Sequence, residues 1–216
     1  LMLVLSMLLT ISAVYGSKTY YAKAAVQVAG ESTGVGLVYV IDKAGTRFPN
    51  SGGLESTATN EMSQTNNSKF SIKIGAYATD PNYCLKEWRL GTTEIPTTVQ
   101  ELDQTITGTE NTAQTTTFVA YFVKQITPNS TNLTINAATG TVSTDITVYN
   151  TTSLTVDALS EELAAKFTYT VASVNTNTWK LTVNSTDVTV NGDEVTLTLR
   201  NNNNATAQVV VNFVED

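Results

Sequence analysis

The stretch 179–199, WKLTVNSTDVTVNGDEVTLTL, decides the fold class of this chain. Trp179, Leu181 and Val183 alternate with Lys180 and Thr182, and Val195, Leu197 and Leu199 alternate with Thr196 and Thr198. A period of two puts every second side chain on one face of a strand. Between the runs, Asn191-Gly192 accepts the positive φ angles of a type I′ turn, so Val188–Val190 and Val195–Leu199 read as a hairpin. The same patterning returns at Leu133–Ala137, Asp145–Tyr149, Phe167–Ala172 and Gln208–Val214. Seven short strands with polar turns in about 90 residues predict an antiparallel β-sandwich of immunoglobulin type. One short helix is expected within Val156–Lys166, where Leu159 and Leu163 fall four apart on one face and Asp157 stands ready to cap. Asn201–Asn204 reads as an exposed turn.

Toward the N-terminus the style loosens. Tyr20–Val28 alternates as a strand, Leu37–Ile41 follows a Gly-containing connection, and the two are expected to form a hairpin. Asp42–Ser68 lacks periodicity and reads as a long loop, and Gly91–Gln114 as a polar connection. Between them lie the strand Lys69–Ala78, the turn Asp80-Pro81-Asn82 and the aromatic segment Tyr83–Leu90. Thr116–Lys124 is apolar on both faces, as in a covered strand. Pro128, within Thr and Asn, marks the change of style. The fold class is therefore mainly β: a small β-rich module at 17–125, then the sandwich at 126–216.

Residues 1–16 carry a different message. Leu1–Val14 is an almost unbroken apolar run, too short for a membrane span of about 20 residues but matching the core of a signal peptide. Cleavage is expected before Ser17, with a cut after Ala13 as the alternative, and no transmembrane span is expected to remain. The expected location is secreted or at the cell surface.

Composition excludes several classes. Charged residues make up 14% of the 216, against about 25% in an average protein. A net charge of −7 without a basic run disfavours nucleic acid as a partner. Histidine is absent, which removes imidazole bases and His-ligated zinc. The single cysteine, Cys84, allows no internal disulfide and reads as a small buried hydrophobe. No catalytic residues, metal site or cofactor are expected. The carboxylates Glu87, Glu94, Asp145, Glu161 and Glu162 sit in no recognisable pair for glycoside hydrolysis, and Asn191, Asp193 and Glu194 are explained by a turn better than by calcium.

At Tyr83, Leu85 and Trp88 the first module resembles the secreted repeats of Listeria-Bacteroides, or internalin B-repeat, type. Their pattern runs from a strand through Gly-Tyr-x-Phe-x-x-Trp to a closing Ala-x-Phe. Here these are Phe70–Ala78, Asn82-Tyr83-Cys84-Leu85-Lys86-Glu87-Trp88 and Ala120-Tyr121-Phe122, with Asn82 in place of Gly and Leu85 in place of Phe. The opening Lys18-Thr19-Tyr20-Tyr21-Ala22-Lys23 is similar to the mature start of exported proteins of gut Bacteroidales. The second module, at Gly140-Thr141-Val142 and Ile146–Thr152, is similar to immunoglobulin-like domains of the choice-of-anchor or Hydin-like class. These resemblances imply a surface protein and carry no catalytic residues across.

Two functions follow as expectations, with a secreted hydrolase of unrecognised type, marked by a cleft with two facing carboxylates, ranked behind them. One is a structural or adhesive module, in which both tryptophans anchor cores. The other is glycan binding by exposed aromatics, with Tyr77, Tyr83, Trp88 and Tyr121 as the first set and Trp179 with Tyr169 as the second, because a ring offers apolar area with a polar handle. Extracellular polysaccharide or a surface protein is the expected partner. Sequons at Asn66, Asn129, Asn132, Asn150, Asn184 and Asn204 matter only with eukaryotic expression.

Overall fold

The computed structural model describes residues 17–30, 33–49, 55–138, 140–185, 189 and 191–215. The expected signal peptide, 1–16, lies outside the described residues, as do Val188 and Val190 of one expected strand. The chain divides into two compact units. Unit 1 takes the described residues of Leu1–Ala29, Leu37–Tyr77 and Glu87–Ala120; unit 2 takes those of Gly30–Gly36, Ala78–Lys86 and Tyr121–Asp216. Both are built almost wholly from strands.

The strands of the first part are β1 (Thr19–Gly30), β2 (Gly36–Ile41), β3 (Arg47–Phe48), β4 (Thr57–Thr65), β5 (Lys69–Ala78), β6 (Tyr83–Leu90), β7 (Thr93–Ile95), β8 (Glu101–Thr107) and β9 (Gln114–Lys124). They form one sheet in the order β4-β1-β9-β6-β7 and another in the order β3-β2-β5-β8. Alternation decides which side is buried. Ala22, Ala24 and Val26 of β1, Phe70, Ile72 and Ile74 of β5, and Phe118 and Ala120 of β9 are all nearly inaccessible. Each such side chain contributes roughly 1.5–3 kcal/mol if as large as Val or Phe.

Three expectations are corrected here. β1 and β2 do not form a hairpin: β1 pairs with β4 in one sheet, while β2 pairs with β3 in the other. Asp42–Ser68 is not a structureless loop, because it holds β3 and β4. The buried positions of β4 are Ala58 and Asn60, one too small and the other too polar to register as a hydrophobic period. Gly91–Gln114 likewise holds β7 and β8, and β8 is an edge strand with Ile106 as its one fully buried side chain.

Unit 2 is a two-sheet sandwich. Its strands are β10 (Ile126–Pro128), β11 (Asn132–Asn136), β12 (Thr141–Val148), β13 (Leu154–Val156), β14 (Phe167–Asn175), β15 (Thr178–Ser185), β16 (Glu194–Asn201) and β17 (Thr206–Val214). The sheets run β10-β12-β15-β14 and β11-β17-β16-β13. Every pairing is antiparallel except β11 with β17, which is parallel. Pro128 sits on an edge strand, where its missing N–H costs no ladder bond. Ile146, Val148, Leu181, Val183, Leu197, Leu199, Val209 and Val211 fill the core at 0% exposure. Phe167 and Phe213 meet there in a tilted pair, centroids 5.2 Å apart.

The helix is shorter than expected. Val156 ends β13, and α1 spans only Glu161–Ala164. Ser160, not Asp157, caps it by accepting from the Leu163 N–H, and Glu161 and Glu162 supply negative charge to the first turn. Asp157 is engaged instead by Arg200, whose Nε and Nη2 donate to its two oxygens at 2.8 and 2.7 Å. Leu159 and Leu163 do share a face, packed against the sandwich core. At the Asn191-Gly192 turn Gly192 has φ +83°, and its N–H donates to the Phe213 carbonyl. No described helix is long and apolar enough to cross a membrane.

Candidate functional site

Of the four aromatics proposed for stacking, one is enclosed and three are half-buried. Trp88 is a core residue at 0% exposure, and its indole N–H donates to the Val99 carbonyl at 2.9 Å. Neither face of the ring is available to a sugar, so its place in that set is corrected. Tyr77 is half-buried on unit 1, one residue beyond the buried Ala76 of β5. Tyr83 and Tyr121 are half-buried on unit 2, Tyr121 between the buried Ala120 and Phe122. Trp179 and Tyr169 pack against the sandwich core from its margin, Trp179 opposite Ile146 in the β12–β15 ladder. Among the described residues the ring pair is Phe167 with Phe213, which is buried.

Unit 1 carries a charged cluster that sequence reasoning missed. Gly75 has no side chain, so the Tyr39 ring lies across β5; a Cβ at Gly75 would stand 2.0 Å from it. The Arg47 guanidinium lies over the ring at 3.9 Å from its centroid, within cation–π range. The Tyr39 hydroxyl donates to Glu101 Oε1 at 2.5 Å, and Lys73 Nζ lies 3.5 Å from Glu101 Oε2. Burial first, then the bond to Glu101, pushes the Tyr39 phenol up to about 12. The same bond, helped by Lys73, holds the Glu101 carboxyl below its usual range. The cluster joins the four strands of its sheet, β3, β2, β5 and β8. Beside it a shallow depression of about 420 Å³ is lined by Ile41, Lys43, Ser71, Lys73 and Asp103.

The carboxylates weighed for catalysis are held by cations. Glu87, buried, and Glu94, exposed, meet on Arg89, which bonds the first through Nε at 2.6 Å and lies 3.6 Å from the second. Asp145 faces Lys180 across the β12–β15 ladder at 3.7 Å, Glu162 pairs with Lys166 one turn on, and Glu161 lies in the first turn of α1, where acidic side chains favour the helix. Asp193 also meets Lys166, and Asn191 donates to Glu215. No three His, Cys, Asp or Glu side chains gather for a metal among the described residues. Cys84 is buried, and burial pushes its thiol up to about 11, which keeps the nucleophilic thiolate out of reach near neutral pH.

Unit 2 carries an amide cluster instead. Asn201, expected in an exposed turn, is 5% exposed. Its Oδ1 accepts from the N–H groups of Asn203 and Ala205, and its Nδ2 donates to Gln125 Oε1 and Thr151 Oγ1. Gln125, equally buried, donates to the Pro81 carbonyl and accepts a second bond from Asn203. Asn150 and Asn204 hold left-handed φ angles of 51° and 63°, which asparagine tolerates better than most residues. Next to this knot lies a groove of about 390 Å³ whose walls include Asp80, Asn82, Tyr83, Thr127, Thr131 and Gln208. It is a concave surface with one aromatic ring among amides and hydroxyls.

No protein-family model matches the chain, and no curated protein matches it. Among solved structures it is similar to a three-immunoglobulin-domain segment of titin, an E-to-A variant, at 11% identity and a TM-score of 0.31, over 93% of this chain and 99% of that one. A likeness that distant carries no argument here. The mainly β, two-sheet architecture rests on the strand order and registers themselves.

Proposed function

We propose that this chain is an exported, non-enzymatic module of the cell surface or the surrounding medium, whose work is structural or adhesive. The observation that carries this reading is Trp88: fully enclosed and hydrogen-bonded, it spends the largest ring of unit 1 on the core. The charged groups support it as well. Glu87 and Glu94 share Arg89, Glu101 is taken by Tyr39 and Lys73, and Asp157 by Arg200, arrangements that engage these four carboxylates in fastening the fold. The apolar run Leu1–Val14, the hydroxyl- and amide-rich surface and the resemblance to secreted bacterial repeat and immunoglobulin-like modules support export.

The test is expression of the full chain with its own leader in a Gram-negative host, followed by fractionation and mass spectrometry of the N-terminus. The expected product begins at Ser17 and is recovered outside the cytoplasm. An uncut chain confined to the cytoplasm would refute the reading. A second reading, glycan binding, is favoured by one observation: Tyr83 stands in a groove with Asp80, Asn82 and Gln208, the side chains that hydrogen-bond sugar hydroxyls.

A further inference from the structure

We infer that the Tyr83 groove of unit 2 is a binding site for a short stretch of a neutral polysaccharide. The inference rests on the adhesive reading and gives it a ligand class. Its volume, about 390 Å³, falls within the roughly 300–1,000 Å³ of small-molecule sites. Its chemistry is that of a sugar ring's complement. Tyr83 supplies an apolar face with a hydroxyl at the edge. Asn82 and Gln208 supply amides, Thr127 and Thr131 hydroxyls, and Asp80 a carboxylate whose second oxygen is left for a ligand once Oδ1 has accepted the Asn82 N–H at 2.8 Å.

The walls are already fixed. Asn82 Oδ1 accepts from the Thr206 N–H at 2.8 Å, the Asn82 carbonyl accepts from the Gln125 N–H at 2.8 Å, and the Tyr83 N–H donates to the Asp80 carbonyl at 3.1 Å. Ordering is thus done before a ligand arrives, which lowers the entropic cost of weak polar contacts. Charge selects the class of glycan. One carboxylate, Asp80, and one ammonium, Lys124, border the groove, the other linings are uncharged, and the chain's net charge of −7 repels polyanions at longer range. Uronic acid polymers and sulfated glycans are disfavoured, and neutral hexose or pentose chains fit.

The experiment is affinity electrophoresis of the exported chain through gels containing laminarin, galactomannan, arabinoxylan or amylopectin, with polygalacturonate as the acidic comparison. At least one neutral polymer is expected to retard the chain. Tyr83→Ala, which removes the ring, and Thr131→Trp, which fills the groove from its exposed rim, are each expected to weaken that retardation at least tenfold. Tyr77→Ala, on unit 1, is expected to leave it unchanged, and near-UV circular dichroism establishes that each variant is folded. Should Tyr83→Ala fail to fold, Thr131→Trp decides alone. No retardation by any neutral polymer, retardation by polygalacturonate alone, or retardation that survives Thr131→Trp would each overturn the site. The last outcome leaves the adhesive reading standing, whereas an uncut cytoplasmic chain overturns that reading whatever the gels show.

Discussion

The two units face one problem and solve it with different chemistry. Buried or half-buried polar atoms need partners in any folded chain. Unit 1 supplies them with charge: Arg47 over Tyr39, Tyr39 to Glu101, Lys73 to Glu101, and Arg89 between Glu87 and Glu94. Unit 2 has ion pairs too, but the strongest, Arg200 with Asp157, is partly exposed, where such pairs contribute little. Its buried polar side chains are uncharged, the amides of Gln125 and Asn201 and the hydroxyls of Thr144 and Ser185. In a chain only 14% charged, the difference teaches that amides can close a sandwich without any group that titrates near neutrality.

The comparison is breakable by substitution, with hydrogen exchange of unit-specific peptides as the readout. The largest effect is expected from Trp88→Ala, which removes the core anchor of unit 1 and should destabilise that unit by about 3–5 kcal/mol. Asn201→Ala comes next, because two backbone N–H groups lose their acceptor at once. Unit 2 should lose about 2–3 kcal/mol. Asn201→Asp sharpens the contrast by importing a titratable group into the knot. The buried acid favours its neutral form, so its folded pKa is raised, and the variant's unit 2 should be firm at low pH and loosen as pH rises.

Gly75→Ala is expected to cost unit 1 about 1–3 kcal/mol, because the new methyl lies where the Tyr39 ring sits. The pH response of the native chain is subtler. Tyr39 has its folded pKa raised to about 12 from an ordinary value near 10, so the stability it contributes is complete below about 10 and is lost as pH climbs through about 12. Glu101 is shifted downward, so its contribution is complete above the ordinary Glu range and is lost as pH falls through its lowered value. Glu101→Gln should remove this acid-side loss and keep the alkaline one, whose first cause is burial of the ring. A pH titration of unit 1 stability reads both limbs. The smallest effect is expected from Asn60→Val. Asn60 is buried with its Nδ2 unpartnered, and an apolar replacement should stabilise unit 1 by about 0.5–1 kcal/mol.

Strands with large apolar side chains at period two were legible: Tyr20–Val28, Lys69–Ala78, Thr116–Lys124 and the sandwich runs among the described residues form. β4 was not, because Asn60 and Ala58 occupy inward positions where hydrophobicity gives no signal. The false β1–β2 hairpin arose because nearness in sequence says nothing about which of two sheets the next strand joins. In the helix, the four-residue spacing of Leu159 and Leu163 was real, but Asp157 was claimed by Arg200, more than 40 residues away. The same limit hid both polar clusters. Tyr39 meets Glu101 and Gln125 meets Asn201 only through long-range pairing, and Asn201–Asn204 looked like any exposed turn. Of the proposed aromatics, Tyr83 lines a groove while Trp88 is enclosed, a distinction the apolar character of the segment could not make.

The two tryptophans fall one in each unit, so Trp179→Phe leaves Trp88 as the single indole. Acrylamide quenching of that variant, with and without the neutral polysaccharides, tests most directly the claim that the largest ring of unit 1 is spent on structure. Blue-shifted emission, little quenching, and no change on adding polysaccharide are expected. Emission quenched as readily as a solvated indole, or protected only when a polysaccharide is present, would contradict that claim.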